Sequence, residues 1–201
     1  MRIAVIGAGQ LGSALGTRLG SLGHTVLYGV RDPEDPKYAG LEVESLLEAV
    51  EGADIIVLAV PWHAARDAAT ALGDVADRIV IDATNPLTPD RTLVLHPDGS
   101  GAEHIACWLT GGRVVKAFNT TGSGNLRDSR YSGGTPVMLI AGDDPEARRI
   151  VMDLAAGIGF DPVDAGPLNA ARDLEHLGCL WVRLAYGSGL GRDIAFGLLR
   201  R

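Results

Sequence analysis

The chain has 201 residues and a formal net charge of −7, which fits one domain with a large core and gives no electrostatic footprint for nucleic acid. Its longest apolar runs fall well short of the ~20 residues that span a bilayer, so we expect no membrane segment. The first residues already form a predicted strand, which predicts a cytoplasmic protein without a signal peptide.

The N-terminal stretch predicts a strand, a glycine turn and a helix in direct succession. Ile3 to Ile6 is a short apolar run typical of a strand buried on both faces. Gly7, Gly9 and Gly12 follow in G-x-G-x-x-G spacing, which allows a tight turn, backbone approach to a pyrophosphate and close packing of helix on strand. The following helix would offer its free N–H groups and positive dipole end to phosphates. This stretch therefore predicts a dinucleotide site.

The second strand, predicted at Thr25 to Tyr28, bears on which dinucleotide binds. An NAD site usually places an acid near the end of this strand, whereas an NADP site places a cation there for the 2′-phosphate. Val30 stands about where the acid would be, and Arg31 follows it. We therefore predict NADP, with Lys37 as a candidate second cation. Asp32 could replace the missing acid if the strand ends one residue later.

The rest of the chain continues to alternate predicted helices and strands. Capping-box spacing marks two helix starts, at Ser45 and Ser100, and Pro61 and Pro145 suit the first turns of two more. The predicted strands after the second are Asp54 to Val60, Arg78 to Asp82, Arg113 to Phe118, Pro136 to Ala141 and Phe160 to Val163.

This alternation predicts an α/β fold with a Rossmann-like, doubly wound and mostly parallel sheet. We expect a dinucleotide-binding domain over residues 1–165 and a C-terminal helical extension over 166–201. In the extension, Leu174, Leu177, Trp181 and Leu184 recur at helical spacing. The surplus apolar surface on that helix predicts a second contact, for which a homodimer partner is the candidate.

Ligands of such sheets lie beyond the carboxyl ends of the strands, so the loops there are expected to share one cleft. Trp62 and Pro86 would give it apolar walls, while Asn85, Asn119 and Thr120 are neutral polar groups. This set suits hydride transfer, in which the protein mainly positions two carriers and excludes water.

No loop offers a convincing general acid. We name Asn85, Asn119 and His63 as catalytic candidates, and a base at Lys116 is a further alternative. Other catalytic classes do not fit. Ser123 lacks the strand-to-helix elbow of a hydrolase nucleophile. Two isolated cysteines and scattered histidines give no metal-ligand spacing, so no metal site is predicted.

Four segments in order resemble one known family. They are the glycine loop, the Gly-His-x-Val-x-x-Gly-x-Arg run at 23–31, Val60-Pro61-Trp62, and the Asp-Ala-Gly-Pro-Leu run at 164–168. The resemblance is to the NADPH-dependent oxidoreductases that act on the deazaflavin coenzyme F420, whose dinucleotide domain also occurs in bacterial relatives and membrane metalloreductases. It covers nearly the whole chain.

The resemblance implies that NADP binds through the glycine loop, with Arg31 on the 2′-phosphate, and that a deazaflavin or similar ring stacks over the nicotinamide. With the adjoining loops, the predicted cofactor-binding set is Gly7, Gly9, Gln10, Leu11, Gly12, Val30, Arg31, Lys37, Ala59, Val60, Pro61 and Asn85. The predicted acceptor-binding set is Trp62, Pro86, Asn119 and Thr120.

The leading hypothesis is thus an NADP-dependent oxidoreductase that transfers hydride between NADPH and coenzyme F420 or a flavin, with a small-molecule acceptor as its partner. Two alternatives stay open. One is an NADP-linked reductase of a small organic substrate, which ought to carry a proton donor in the cleft. The other is a non-catalytic module that senses the NADP redox state.

Overall fold

Strands and helices alternate from the first residues onward in the computed structural model, which describes residues 1–94 and 96–201. The strands are β1 Arg2–Ile6, β2 Thr25–Val30, β3 Val43–Ser45, β4 Ile55–Leu58, β5 Ile79–Asp82, β6 Arg113–Lys116, β7 Val137–Gly142 and β8 Asp161–Gly166. The helices are α1 Gln10–Ser21, α2 Leu46–Val50, α3 Trp62–Leu72, α4 Gly101–Trp108, α5 Ser123–Arg127, α6 Pro145–Ile158 and α7 Ala171–Gly187. Short 3₁₀ turns occupy Pro36–Tyr38 and Leu168–Ala170.

One sheet contains all eight strands, in the order β3-β2-β1-β4-β5-β6-β7-β8. Every pairing is parallel except β6 with β7. The chain moves outward in one direction from β1 to β3 and then returns to β4 on the other side of β1. The predicted mostly parallel, doubly wound fold is confirmed, and its switch point lies between β1 and β4.

The core is split by the sheet into two layers, because alternate side chains of each strand point to opposite faces. Ile3 and Val5 of β1 pack in the layer covered by α1 and α6. Ala4 and Ile6 pack in the other layer, with residues of α2, α3 and α4. Strands buried on both faces explain the continuous apolar runs seen in the sequence.

Two elements lie where no element was predicted. The edge strand β3 has only three residues, all half-buried, so its apolar signal is short. Helix α5 lies between the strands that were predicted at Arg113 to Phe118 and at Pro136 to Ala141, and it packs against α1. Its five residues include a glycine and an asparagine, which are poor helix formers, so packing rather than propensity places it.

The C-terminal extension is helical only in part. Helix α7 ends at Gly187, and residues 188–201 run back across the protein without helix. The carbonyl of Ile194 accepts hydrogen bonds from Trp181 Nε1 at 2.8 Å and Asn125 Nδ2 at 2.7 Å. Further on, the Val137 N–H donates to the Phe196 carbonyl at 2.8 Å. These bonds hold the terminal segment against α7, α5 and β7.

Within residues 1–94 and 96–201, the helices are all too short or too polar to cross a bilayer.

Candidate functional site

The glycine loop between β1 and α1 has the geometry that its spacing predicts. Gly7 has a φ of +101°, and a Cβ there would lie 2.7 Å from the Ala59 carbonyl oxygen. A Cβ on Gly12 would lie 1.9 Å from the Gly7 carbonyl oxygen, so only glycine lets α1 come this close to the loop. Gly9 faces open space, with nothing within 4 Å of a Cβ. Gly7 thus makes the turn, Gly12 allows α1 to pack closely on the loop, and Gly9 leaves room for a ligand to approach the backbone.

The first amide groups of helix α1 have no capping side chain. Its N-cap, Gly9, makes no side-chain capping bond, and no acidic residue lies in the first turn. The first N–H groups of a helix have no intrahelical partner, so those of Gln10, Leu11 and Gly12 are available to an external anion. This arrangement suits the pyrophosphate of a dinucleotide.

A cleft of about 370 Å³ opens beside this loop, at the switch point of the sheet. We call it the cofactor cleft. Seven of the predicted cofactor residues line it, namely Gly7, Gly9, Val30, Arg31, Ala59, Val60 and Pro61. Tyr38 and Asp67 also line it and were not predicted. Tyr38 follows Arg31 closely in the sequence, and this aromatic residue could have been named as a candidate on that ground.

The end of β2 presents a cation and no carboxylate to the cofactor cleft. Val30 is the last residue of β2 and is buried, and the exposed Arg31 follows it. The Arg31 guanidinium has no carboxylate within 4.0 Å among the described residues. Asp32 does not line the cleft, and its carboxylate accepts a hydrogen bond from the Glu34 N–H. The alternative in which Asp32 replaces the missing acid therefore gains no support from the geometry.

Lys37 lies just outside the cofactor cleft. Its ammonium pairs with the carboxylate of Asp35 and lies 4.7 Å from the centroid of the Tyr38 ring. Hydrogen bonding to Asp35 raises the pKa of Lys37, so this exposed lysine is charged at neutral pH. To act as a second cation for the 2′-phosphate, Lys37 would have to break its ion pair with Asp35.

Trp62, predicted as a wall for the acceptor, is turned toward α4. Its ring lies 5.5 Å from that of His96 and 5.7 Å from that of Trp108. A Cβ on Gly101 would lie 3.1 Å from the indole, so the small residue at the start of α4 accommodates it. His63, the next residue, is exposed in the first turn of α3.

Asn85 and Asn119 meet beyond the ends of β5 and β6. Asn85 Nδ2 donates to the Asn119 carbonyl at 2.7 Å, and Asn119 Nδ2 donates to Asn85 Oδ1 at 2.9 Å. Asn119 Nδ2 also donates to the Leu174 carbonyl of α7 at 2.9 Å. A Cβ on Gly178 would lie 2.6 Å from Asn85 Oδ1, so α7 covers the pair closely. These amides fasten α7 over the sheet, and Asn85 does not line the cofactor cleft.

The backbone at Phe118, the residue before Asn119, is strained. Phe118 has a φ of +61°, a left-handed conformation that is rare for a bulky residue, and its side chain is fully buried. Such outliers cluster at functional sites, where the surrounding packing enforces them.

The other two acceptor candidates, Pro86 and Thr120, are buried in this structure.

The candidate base Lys116 is fully buried in an ion cluster. Its ammonium donates to Asp82 Oδ2 at 2.8 Å and to the Thr84 carbonyl at 2.7 Å, and lies 3.1 Å from Glu175 Oε1. Burial by itself would lower the pKa of Lys116, but the two carboxylates outweigh it and raise the pKa. A lysine held in its charged form by two acids is a structural anchor and a poor base.

Glu175 links this cluster to two helices. Its side chain projects from α7, and its two oxygens accept from the N–H groups of Gly101 and Ala102 at 2.9 and 3.0 Å. The carboxylate thus satisfies the first amides of α4 as well as the ammonium of Lys116. Its sequence context, a polar residue inside an amphipathic helix, gave no sign of this role.

A second cavity, of about 260 Å³, lies on the other side of the α1 N-terminus. We call it the β6 cavity because the chain that leaves β6 forms part of its wall. Its lining consists of Gln10, Gly122, Ser123, Gly124, Arg127, Trp181, Tyr186, Arg192 and Asp193. The loops that were expected to share one cleft therefore do not all do so. Gln10 belongs to the second cavity, and neither cavity is lined by Trp62, Asn85, Pro86, Asn119 or Thr120.

The sequence of this chain matches a known family over its N-terminal part. Residues 2–86 match the profile of the family described as NADP oxidoreductase, coenzyme F420-dependent. They hold β1 to β5 and the whole cofactor cleft, and the family resemblance predicted from the sequence is confirmed.

Relatives of the F420-dependent NADP oxidoreductase family extend the likeness to the rest of the chain. The F420-dependent NADP reductase of Methanocaldococcus jannaschii is 28% identical over 92% of both chains. The metalloreductase STEAP3 of Rattus norvegicus is 32% identical over 87% of this chain. The chain spans about a third of the length of the metalloreductases that it matches, 36% in this case. These named relatives are reductases, in agreement with the predicted class.

Solved structures agree with the family assignment. A crystal structure of a protein from Arthrobacter sp. FB24, provisionally named an F420-dependent NADP-reductase, superimposes with a TM-score of 0.89 at 29% identity and covers 100% of both chains. A reductive aminase from Aspergillus terreus in complex with NADPH reaches a TM-score of 0.66 at 18% identity, which shows a shared fold.

Proposed function

We propose that this protein is an NADPH-dependent oxidoreductase that exchanges hydride with a flavin-type acceptor such as coenzyme F420. The observation that carries the proposal is the cofactor cleft, which combines an open glycine loop with an arginine at the end of β2 that pairs with no carboxylate in the described part of the chain. The names of its relatives support the reaction class, and those of the M. jannaschii reductase and of the family support the acceptor.

The residues of the cofactor cleft fit NADP by their chemistry. Gly9 leaves room for phosphates to reach the amides of α1. Val30 offers no acceptor to a ribose hydroxyl, whereas Arg31 can form paired charge-assisted bonds with a phosphate. Tyr38 gives the cleft an aromatic wall. When bound, NADPH would supply the hydride, and the chain's own groups would bind, orient and exclude water.

The proposed activity is tested by mixing the protein with NADPH and a panel of acceptors while the nicotinamide absorbance is followed. The panel contains coenzyme F420, flavin mononucleotide and ferric chelates. We expect NADPH oxidation with at least one ring acceptor and slower oxidation of NADH. Tight NADPH binding without turnover on any acceptor would instead favour the redox sensor.

Arg31→Ala tests the cofactor preference. A charged hydrogen bond contributes about 1.5–3 kcal/mol, so the dissociation constant of NADPH should rise about 10- to 150-fold. The dissociation constant of NADH, measured by the same fluorescence titration, should hardly change, because NADH lacks the 2′-phosphate.

Arg149→Ala is the matched control, since Arg149 is an exposed arginine on α6 that pairs with Asp153. It should leave both dissociation constants unchanged. Equal losses for NADPH and NADH in Arg31→Ala would contradict the assignment of Arg31 to the 2′-phosphate.

We further propose a cytoplasmic homodimer that uses the exposed apolar surface of the C-terminal extension. Leu180 on α7 is 44% exposed, and Leu190 in the following segment is 61% exposed. Burial of such side chains against a second copy would remove apolar area from water. The molar mass in solution, measured by light scattering, tests this directly.

A further inference from the structure

The β6 cavity carries arginines that no carboxylate neutralises. Among the described residues, neither Arg127 nor Arg192 has a carboxylate oxygen within 4.0 Å of its guanidinium. The acid next to Arg127 in the chain, Asp128, is taken by Arg130, with Oδ2 and Nη2 2.7 Å apart. Asp193 is the one carboxylate among the residues that line the cavity.

A third arginine approaches the same cavity from the loop after β5. The Arg91 guanidinium lies 4.4 Å from the centroid of the Tyr186 ring, and Tyr186 lines the cavity. The neighbouring acid, Asp90, is held by the hydroxyl groups of Thr88 and Thr92. Arg91 and Asp90 balance one another, because hydrogen bonds from neutral hydroxyl groups leave the charge of Asp90 in place. The lining residues Arg127, Arg192 and Asp193 keep one positive charge in excess, in a protein whose net charge is −7. Such a local excess favours an anionic ligand.

The cavity also has a rigid aromatic wall. Trp181 Nε1 donates to the Ile194 carbonyl at 2.8 Å, which fixes the orientation of the indole. A Cβ on Gly122 would lie 2.4 Å from the same ring, so a glycine is needed where the chain leaves β6. The ring of Tyr186 lies 6.5 Å away in an edge-to-face arrangement. Trp181 is 4% exposed and gives the cavity a small, fixed part of its ring, while Tyr186, which is 47% exposed, gives a planar ligand the more accessible aromatic surface.

The position of the cavity relates it to the cofactor cleft. Gln10, the first residue of α1, lines the β6 cavity, and the glycine loop that precedes it lines the cofactor cleft. A dinucleotide lies across the switch point of such a sheet. With the 2′-phosphate at Arg31 on the β2 side, the nicotinamide end of the dinucleotide is directed past α1 toward the β6 side.

We propose that the β6 cavity is the acceptor site and that it selects planar acceptors with an anionic side chain, such as a phosphate ester. Arg127 and Arg192 bind the anion, while Trp181 and Tyr186 border the ring. This inference rests on the proposed function and adds to it the charge of the substrate. The acceptor candidates named from the sequence are buried or turned toward α4. The β6 cavity would give the acceptor the walls that those residues do not provide.

The test compares two pairs of probes that differ in the phosphate. Flavin mononucleotide and riboflavin share one ring, and coenzyme F420 is compared with its phosphate-free deazaflavin core. Binding to NADP-loaded protein is followed by the fluorescence anisotropy of the flavin or deazaflavin. The variants are the double substitution R127Q/R192Q and, as a matched control, R149Q on α6.

We expect the native protein to bind the phosphorylated probe of at least one pair about tenfold or more tightly than its phosphate-free partner, as for a charged hydrogen bond. In R127Q/R192Q this ratio should fall to near one, while the affinities for the phosphate-free probe and for NADPH are kept. R149Q should behave like the native protein, and salt should reduce the preference.

Three results would overturn the proposal. They are equal affinity for both members of each pair in the native protein, a preference that survives in R127Q/R192Q, or a parallel loss of NADPH affinity, which would assign the arginines to the cofactor. An arginine-dependent preference for the phosphorylated probe without any NADPH oxidation would leave this site standing and reject the proposed hydride transfer.

Discussion

Replacing Lys116 with methionine is expected to lower the free energy of unfolding by about 3–5 kcal/mol, the cost of removing one partner from a buried ion cluster. The variant leaves the carboxylates of Asp82 and Glu175 buried without their shared cation. Urea unfolding followed by circular dichroism measures the change. A loss below about 1 kcal/mol would show that water or rearrangement compensates the two acids.

The difference in stability between the native protein and Lys116→Met also has an expected dependence on pH. Because the pKa of Lys116 is raised in the folded protein, its stabilising effect is fully present below the usual lysine pKa and is lost only as the pH rises through the folded value. The gap between native protein and variant should therefore persist across the neutral range. Lys37→Met, which removes an exposed lysine paired with Asp35, is the control and should unfold at nearly the same urea concentration as the native protein.

Gly12→Ala is expected to have the largest effect on cofactor binding. The added Cβ would meet the Gly7 carbonyl oxygen at 1.9 Å, so α1 has to move away from the loop by more than an ångström. A displacement of that size can cost about 100-fold in the rate of a positioned reaction, so NADPH oxidation should slow by that order and the dissociation constant of NADPH should rise with it. Overpacking of this kind also destabilises by about 1–3 kcal/mol.

Gly20→Ala is the matched control on the same helix. A Cβ at Gly20 meets nothing within 4 Å, and the residue is exposed. Alanine is a better helix former than glycine, so this variant should be slightly more stable and bind NADPH normally. Normal NADPH affinity in Gly12→Ala would mean that close packing of α1 does not position the phosphate site.

The parts of the fold that the sequence predicted are those with strong local signals. The glycine spacing at Gly7 to Gly12, the apolar strands and the capping boxes at Ser45 and Ser100 depend on neighbours within a few residues, and all appear in the structure. The family resemblance came from such segments as well. Strand β3 and helix α5 were missed because each is short and forms through contacts with distant elements.

The candidate site was only partly predictable for the same reason. Seven of the predicted cofactor residues follow one another in the chain after β1, β2 and β4 and line one cleft, because parallel strands end at the same edge of the sheet. The β6 cavity joins α1, α5, α7 and the terminal segment, which are up to 183 residues apart between Gln10 and Asp193. No spacing rule relates Arg127 to Arg192, and nothing in a one-dimensional pattern marked Glu175 as the partner of Lys116.

The position of Glu175 has a consequence for how the molecule unfolds. The boundary predicted at residues 165 and 166 suggests a separable extension, yet one carboxylate from that extension contacts the Lys116 ammonium in the central sheet and satisfies the first amides of α4. Detaching α7 would take this acceptor away from the N–H groups of Gly101 and Ala102 and from the ammonium of Lys116. We therefore expect the amide hydrogens of β6, α4 and α7 to exchange with solvent through one cooperative opening, so that the extension has no independent stability.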